Sequence, residues 1–295
     1  MAKKFDKKII LTAAVTGNVH TKEMSPYVPY GVSEVSNAAI EAHRAGASIV
    51  HVHAREENGT PTSDLEVFGA ILSRIREHEP EAIISITTGG NAGPEERRKV
   101  IPAFRPEMAS FNSGSVNFSM AGNEASYTNV FANSIQNMID CMKLMNEADT
   151  QPEFEIFDLA MINNVLFLKK QGLFTREPYF QFVPGPLGAI PMSVDTIVFF
   201  IRSLRQAFGE DAMFSLVAPG RRCFRFEALS ALMGGNVRVG LEDSLYIKPG
   251  GELAAGNAEQ VKKMTAILHA LDYEVATPAE AREILKLKGP DKVNF

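Results

Sequence analysis

Residues 47–55 read Ala-Ser-Ile-Val-His-Val-His-Ala-Arg and follow the pair Ala45-Gly46. A short apolar run rich in β-branched residues is typical of a buried strand. Because side chains alternate between the two faces of a strand, His51 and His53 leave the same face, close enough to bind one cation. Neutral imidazole is a ligand for zinc and other borderline divalent metals. The competing interpretation is two structural histidines, hydrogen-bonded at the end of a strand.

The composition of the 295 residues argues against several classes of protein. Hydrophobic residues make up 45% and charged residues 22%, as in ordinary globular proteins, and the net charge is −5. There is no basic stripe for nucleic acid and no polybasic patch for a membrane surface. No 18-residue apolar stretch or signal peptide is found. With only Cys141 and Cys223 present, we expect a protein of the reducing cytoplasm, without a disulfide framework.

Strand-like and helix-like segments alternate along the chain. Apolar runs of strand length occur at 8–15, 48–53, 82–87, 108–112, 153–157, 179–183, 213–217 and 236–241. Helical periodicity occurs at 33–45, 65–77, 126–146, 161–170, 194–208, 226–233 and 257–271. This alternation predicts an α/β protein with a parallel sheet, and the number of strands favours a (β/α)8 TIM barrel. We expect one domain over residues 1–295, with a C-terminal helical extension from about 257. A doubly wound open sheet is the alternative, although no GxGxxG follows the first strand.

Polar residues collect where the predicted strands end, which is the face that carries the chemistry in TIM barrels. Thr87 is followed by Gly89 and Gly90, whose backbone amides could bind a carboxylate or could form an ordinary glycine-rich turn. Two further candidates, Ser110 and Asn112, end the fourth strand. On the fifth strand, Glu153 and Glu155 share a face. Two inward carboxylates raise the pKa of one of them, which suits proton transfer or amine binding.

The last predicted strand supplies a third candidate ligand. By alternation, Arg238, Gly240 and Glu242 share the face toward the barrel interior. A buried charge needs a partner or a metal, so Glu242 could join His51 and His53 in a catalytic two-histidine, one-carboxylate site. An Arg238–Glu242 ion pair without metal is the alternative. Asp243 could act as a general base held by Arg238, which could instead hold an anionic substrate. Asp243 could also be a helix N-cap.

Six segments together resemble the β-keto acid cleavage enzymes, a family whose best-known member cleaves 3-keto-5-aminohexanoate. These segments are 11–17, 51–56, 87–90, 106–114, 234–243 and 276–285, in order over almost the whole chain. The resemblance implies a zinc-dependent TIM barrel, usually a homotetramer, with one Zn²⁺ per chain. It also implies a reaction in which a β-keto acid and acetyl-CoA give acetoacetate and a new CoA thioester. In the implied mechanism zinc polarises the ketone, the methyl carbon of acetyl-CoA attacks it, CoA migrates and a retro-Claisen cleavage releases acetoacetate.

The resemblance also assigns roles to individual residues. His51, His53 and Glu242 fall on the zinc ligands of the family, and Arg238 and Asp243 on the pair thought to run proton transfer. Four residues fall on or beside the positions that hold the keto acid in the family: Thr87, Gly90, Ser110 and Asn112. Glu155 falls on an acidic position of the site.

One position departs from the family pattern. Where the aminohexanoate enzyme has a glutamate that recognises the substrate amine, this chain has Val19, followed by His20. An apolar side chain cannot pair with an ammonium group, so we expect a β-keto acid with a neutral or anionic tail.

Other classes of TIM-barrel protein remain as alternatives. A metal-dependent hydrolase of the amidohydrolase kind would place HxH on the first strand and further histidines on the fifth and sixth. This chain places HxH on the second strand. An aldolase that uses zinc would not depend on acetyl-CoA. A non-catalytic metal-binding barrel is the remaining possibility, although Arg238 and Asp243 argue against it.

Overall fold

A closed barrel of eight parallel strands forms the centre of the molecule, as the alternation of the sequence predicted. The structure is a computed structural model and describes residues 7–121 and 125–295. In chain order the strands are β1 (Leu11–Ala14), β2 (Ile49–Val52), β3 (Ile83–Ile86), β4 (Met108–Asn112), β5 (Gln151–Ile156), β6 (Tyr179–Phe182), β7 (Met213–Leu216) and β8 (Asn236–Val239). Each strand pairs in parallel with the strands before and after it in chain order, and β8 pairs with β1 to close the barrel.

Helices follow the strands and surround the barrel. They are α1 (Gly31–Arg44), α2 (Leu65–His78), α3 (Pro94–Arg97), α4 (Val100–Phe104), α5 (Ile135–Ala148), α6 (Leu159–Lys170), α7 (Val194–Phe208), α8 (Cys223–Leu232), α9 (Asn257–Ala270) and α10 (Pro278–Leu285). Side-chain oxygens of Asp64, Ser134, Asp158 and Ser193 cap four of them by accepting backbone N–H groups of the first turn. Within the described ranges no helix is long and apolar enough to cross a membrane.

The interior of the barrel is apolar at one end and polar at the other. Residues at the N-terminal ends of the strands form a compact apolar plug, which consists of Ile10, Ile49, Ile83, Met108 and Tyr179. The next inward positions toward the C-terminal ends are polar and buried, among them Ser85, Glu153, Gln181, Ser215 and Arg238. A second, larger apolar cluster lies between the outer faces of the strands and the helices. Polar side chains are therefore concentrated at the C-terminal ends of the strands.

The predicted helix at 126–146 is wrong in its first part. The chain forms an antiparallel hairpin, Val116–Ala121 with Ala125–Phe131, and a helix begins only at Ile135. Residues 125–131 read Ala-Ser-Tyr-Thr-Asn-Val-Phe, and their β-branched and aromatic content favours a strand. Ser134 caps the helix by accepting the Asn137 N–H, which fixes its start.

The C-terminal segment closes the apolar end of the barrel. The helix α9 follows β8 and packs against α1 and α8, so it completes the ring. The predicted C-terminal helical extension from about 257 begins with α9, which lies in the ring, and continues with residues that lie outside the ring. After α9, Glu274–Val275 pairs in parallel with Lys8–Ile9. The predicted strand at 8–15 is therefore divided into this short segment and β1. In α10, Ala281 and Leu285 cover the apolar plug.

Candidate metal and catalytic site

The two histidines of residues 47–55 lie side by side at the C-terminal end of β2. His51 belongs to the strand and His53 follows its last residue. Both are buried, with 1% and 8% of their surface exposed, and their ring centroids are 5.1 Å apart. The strand places both rings on the inner face, as the alternation of side chains predicted.

A hydrogen bond on the far side of each ring orients the imidazole. The Nδ1 of His53 lies 2.9 Å from Asn18 Oδ1, and that of His51 lies 3.3 Å from Ser85 Oγ. A carbonyl oxygen only accepts, so Nδ1 of His53 carries the proton and Nε2 keeps a free lone pair. Metal-binding histidines are commonly held in this way.

Glu242 reaches the histidines through a turn and not by strand alternation. The strand β8 ends at Val239, and Gly240 adopts a φ of +146°. A Cβ on Gly240 would lie 2.0 Å from the carbonyl oxygen of Ala14, so only glycine allows this close approach to β1. The Glu242 N–H then donates to the same Ala14 oxygen at 3.1 Å. The prediction that Glu242 shares a strand face with Arg238 is therefore wrong, although its predicted destination is correct.

The three candidate ligands meet at one point. One ligand atom from each of His51, His53 and Glu242 lies within 4.8 Å of the other two. His53 Nε2 is 3.3 Å from Glu242 Oε1, and His51 Nε2 is 3.8 Å from Glu242 Oε2. That Oε2 is buried and has no hydrogen-bond partner among the described residues. Two imidazole nitrogens and an unpartnered carboxylate oxygen are a donor set that fits zinc and similar divalent ions.

The charge states favour ligation. Burial lowers the pKa of His51 to about 3, so this imidazole is neutral at physiological pH. Burial opposes ionisation of Glu242 too, but Arg238 and the two histidines outweigh it and hold its pKa well below the usual range. A neutral His51 beside an ionised Glu242 is the protonation state that a metal requires of these two ligands.

Arg238 connects the candidate ligand Glu242 to Asp243. Its Nε and Nη2 donate to the two carboxylate oxygens of Asp243 at 2.8 and 3.0 Å, a bidentate pair. Its Nη2 also lies 2.7 Å from Glu242 Oε1, and its Nη1 donates to Gln181 Oε1 at 3.0 Å. The predicted Arg238–Glu242 ion pair is therefore present, and it leaves Glu242 Oε2 available. The predicted N-cap role of Asp243 is wrong, because no helix of the described structure begins there.

Asp243 has the properties of a base. Burial raises its pKa although Arg238 opposes this effect, and 7% of the residue surface is exposed. Asp243 lines a cavity over the C-terminal ends of the strands, together with His53, Arg238 and Glu242. A raised carboxyl pKa brings a general base closer to the working pH.

The cavity contains most of the predicted substrate residues. It is open to solvent and spans about 960 Å³ of empty space including its mouth, which would admit a small acid and the end of a cosubstrate. Its lining includes the predicted residues Val19, Thr87, Gly89, Gly90, Asn112 and Glu155. Ser110 instead lies in the layer below, buried, where its Oγ accepts the Thr88 N–H at 3.0 Å. The Gly89 N–H donates to Thr87 Oγ1 at 2.9 Å, so this hydrogen bond stabilises the turn.

Both glutamates of β5 have raised pKa values because loss of solvent disfavours the charged carboxylate; Glu153 is buried and Glu155 is half-buried. The pKa of Glu153 is about 7 and that of Glu155 about 8. Glu153 accepts a hydrogen bond from Gln181 Nε2 at 2.9 Å, below the cavity, whereas Glu155 lines the cavity itself. The sequence predicted a raised pKa for only one of the two carboxyl groups, whereas the structure raises the pKa of both Glu153 and Glu155.

Several residues of the site were not singled out by the sequence. Gln181 bridges Arg238 and Glu153, and a polar residue within the apolar run at 179–183 was the available signal. Asn18, which orients His53, follows a strand end with glycine beside it. The hairpin contributes Val116, Phe118 and Phe131 to the wall of the cavity. Its predicted helical period gave no signal for this role.

The fold and the site define a TIM-barrel protein with a candidate metal centre at the C-terminal ends of its strands. The family model of the beta-keto acid cleavage enzymes matches residues 8–287. The chain belongs to the beta-keto acid cleavage enzyme family, as its motifs predicted.

Relatives of named activity match nearly the whole chain. A 3-keto-5-aminohexanoate cleavage enzyme of Fusobacterium nucleatum is 39% identical over 283 residues, covering 96% of this chain and 99% of the relative. A 3,5-dioxohexanoate:acetyl-CoA acetone transferase of Paraburkholderia graminis is 37% identical over 309 residues, covering 98% and 99%. The solved structure of ObcA with oxaloacetate superposes with a TM-score of 0.75 at 22% identity, over 89% of this chain and 68% of that one. This superposition supports the barrel fold.

Proposed function

We propose that this protein is a metal-dependent enzyme that converts a β-keto acid and acetyl-CoA into acetoacetate and a new acyl-CoA. The observation that carries the proposal is the His51, His53 and Glu242 set, within 4.8 Å, beside the buried Arg238–Asp243 pair. The names of the 37% and 39% identical relatives supply the class of reaction. Zinc is the metal that we propose, because it suits two imidazoles and one carboxylate.

The balance of carbon atoms decides which carbon is deprotonated. The reaction is R–CO–CH2–COO⁻ plus CH3–CO–SCoA giving R–CO–SCoA plus CH3–CO–CH2–COO⁻. Acetoacetate joins the acetyl carbonyl to the methylene of the keto acid, so that methylene must be the nucleophile. Attack by the acetyl methyl would leave the new carbon–carbon bond in the CoA product. We therefore replace the methyl attack implied by the family resemblance with attack by the keto acid.

The residues around the cavity then take the following roles. Asp243 removes a proton from the methylene, and the carbanion attacks the thioester carbonyl and expels the thiolate of CoA. The thiolate then attacks the R–CO carbonyl, the bond to the methylene breaks, and Asp243 returns the proton to acetoacetate. Arg238 holds Asp243 in place through two hydrogen bonds. The Thr87 hydroxyl and the Gly90 N–H are proposed to bind the carboxylate, with Asn112 beside them.

The metal would be held by His51, His53 and Glu242. When bound, it supplies Lewis acidity toward the ketone oxygen and favours loss of the neighbouring proton. Asn18 and Ser85 keep the two imidazoles in the ligating orientation.

The lining of the cavity favours a neutral substrate tail. The hairpin and neighbouring loops give it an apolar wall that includes Val19, Val116, Phe118, Phe157 and Val183. Its acidic lining residues are Glu155, Glu242 and Asp243, and the one Arg or Lys side chain of the lining, Arg238, is already paired. An anionic tail would meet carboxylates, and an ammonium tail would lie against Val19. A neutral tail is therefore the best match.

A direct assay tests the proposal. The purified protein should contain about one zinc per chain and should form acetoacetate from acetyl-CoA and a neutral β-keto acid such as 3-oxohexanoate. Chelation should abolish turnover, and His51→Ala and Glu242→Ala should lose both metal and activity. Acetoacetate production that persists after complete metal removal would refute the metal requirement. Formation of no acetoacetate with neutral, anionic or aminated keto acids would refute the reaction.

The oligomeric state is a separate proposal. Large apolar side chains of the outer helices are exposed, among them Phe167, Phe199 and Leu232. Exposed apolar surface of this kind is typical of subunit interfaces, and we propose the homotetramer of the family. Light scattering of the purified protein should give four times 32.3 kDa, and a monomeric mass would refute it.

A further inference from the structure

The proposed cosubstrate poses an electrostatic problem at the mouth of the barrel. Coenzyme A carries a diphosphate and a sugar phosphate at the far end of its flexible pantetheine arm. When the thioester lies beside Asp243, these phosphates lie outside, at the rim formed by the loops after the strands. The net charge of the chain is −5, so phosphates will be bound only where cations are concentrated. The following inference rests on the proposed use of acetyl-CoA.

Most cations of the rim are already engaged. Lys22 is 2.7 Å from Glu34, and Lys248 is 2.7 Å from Glu252. Arg55 is 1% exposed and donates to the carbonyl oxygen of Gly17. Arg97 is also buried, and it donates to the carbonyl oxygens of Ala92 and Ala132. These four side chains serve the fold, so they are poor candidates for a ligand.

The loop after β7 is different. It carries Arg221 and Arg222 next to each other, and both are exposed. Neither forms an ion pair with any residue in the two described ranges. The guanidinium of Arg221 lies over the ring of Tyr246 at 4.9 Å, and that of Arg222 over the ring of Phe226 at 5.2 Å. Stacking holds each guanidinium plane and leaves the N–H groups at its edge free to bind phosphate.

Space beside Arg221 is maintained by a glycine. A Cβ on Gly251, which has a φ of +95°, would lie 3.1 Å from the guanidinium carbon of Arg221. The loop after β8 therefore approaches the loop after β7 closely enough to form one surface with it. Loops after the seventh and eighth strands are a frequent place for phosphate binding in TIM barrels.

The two arginines are also tied to the catalytic residues. Pro219 and Asp243 both line the cavity. Gly220, between Pro219 and the arginines, donates its N–H to the Asp243 carbonyl oxygen at 3.1 Å. The Ser244 hydroxyl donates to the Gly220 carbonyl oxygen at 3.0 Å. A ligand that spans the rim and the cavity would therefore pass directly from Arg221 to Asp243.

We propose that Arg221 and Arg222 bind the phosphate groups of acetyl-CoA and so place its thioester beside Asp243. They are binding residues and take no part in the bond changes. Each contact between a phosphate and an arginine is a charge-assisted hydrogen bond, and its loss weakens binding by about tenfold.

The test uses Arg221→Gln combined with Arg222→Gln in the full chain. The double variant should raise the Kd of free CoA, measured by calorimetry, and the KM for acetyl-CoA about a hundredfold. The KM for the keto acid should stay within about twofold, and so should kcat. S-acetylpantetheine, which lacks the nucleotide and its phosphates, should react equally well with parent and variant. A matched control, Lys169→Gln with Lys170→Gln at the other end of the barrel, removes the same charge and should change nothing.

The outcomes separate this proposal from the proposed reaction. If no keto acid is turned over, calorimetry with CoA still reports on the arginines. Unchanged CoA affinity in the double variant, or no CoA binding by the parent, overturns the phosphate site. Equal loss with acetyl-CoA and S-acetylpantetheine also overturns it, because the phosphates would then not matter. If the glutamine variant does not fold, Arg221→Lys with Arg222→Lys provides the test, because it keeps the charge without the bidentate geometry. Its Kd for CoA should be higher than that of the parent but less than a hundredfold higher.

Discussion

Replacement of Asn18 by alanine separates a metal centre from a structural pair of histidines. Asn18 Oδ1 lies 2.9 Å from His53 Nδ1 and holds the proton on that nitrogen, which leaves Nε2 facing Glu242 at 3.3 Å. Without Asn18 the proton can move to Nε2, where it blocks the lone pair, and the ring is free to turn. The change touches no ligand atom, so any effect on the metal must act through the orientation of His53.

The size of the effect follows from this one hydrogen bond. Loss of a partner that orients a metal-bound histidine typically weakens metal affinity by about 10- to 100-fold, which is about 1.4–2.7 kcal/mol. Asn18→Asp keeps an oxygen acceptor at the same place and strengthens it by its charge. We therefore expect Asn18→Asp to bind metal at least as tightly as the parent.

Competition between each protein and a coloured zinc chelator at pH 7 measures both variants on one scale. The free energy of unfolding, measured without metal, provides the control for general damage. An Asn18→Ala affinity within about twofold of the parent would refute the reasoning, and so would equal weakening by Asn18→Asp. Either result would mean that Asn18 does not orient a ligand.

Four further predictions follow from other residues. Gly240→Ala should destabilise the protein by more than about 3 kcal/mol in urea unfolding, because its Cβ would meet Ala14 at a φ of +146°. Glu153, with a folded pKa of about 7 against 4.5 unfolded, binds more protons when folded, so it should cost the metal-free protein up to about 3 kcal/mol between pH 4.5 and 7. Glu153→Gln should reduce the loss by that amount, and the loss that remains includes the share of Glu155, whose pKa is about 8. Acetyl-CoA labelled with ¹³C in both acetyl carbons should give doubly labelled acetoacetate by NMR; label retained in the CoA product would restore methyl attack. Val19→Glu should raise kcat/KM for 3-keto-5-aminohexanoate relative to 3-oxohexanoate by at least about tenfold, and an unchanged ratio would remove Val19 from substrate selection.

The barrel could be predicted because its information is local. Each strand is a short apolar run, each helix has its own period, and their alternation leaves few topologies. The same argument placed His51 and His53 together, because neighbours two apart on a strand share a face. The hairpin Val116–Ala121 with Ala125–Phe131 was missed because its second strand could also be read with a helical period. Only the pairing of the two strands decides between these readings.

Glu242 lies beside the histidines as predicted, but it reaches them by a route that the sequence did not indicate. Alternation along β8 was expected to direct it inward, yet the strand ends at Val239 and a turn at Gly240 brings it to the histidines. The turn depends on the close approach of Gly240 to Ala14 on another strand, a contact between residues far apart in sequence. Gln181, which holds Arg238, was missed for the same reason. Its role depends on a partner two strands away across the barrel wall.

The position of Arg238 explains why the interior of this barrel is divided into two halves. A guanidinium with 2% of its surface exposed would destabilise the fold by several kcal/mol if it lacked partners. Here burial lowers its pKa, but Asp243 and Glu242 together raise it well above the usual value, so the charge is retained. The apolar plug below packs the N-terminal ends of the strands together, and the layer above it holds a dense set of charged groups. The same pairing that satisfies Arg238 aligns Asp243 as a base and leaves one oxygen of Glu242 for a metal. The stability of this interior and its proposed chemistry thus depend on the same hydrogen bonds, and substitution of Arg238 should weaken both.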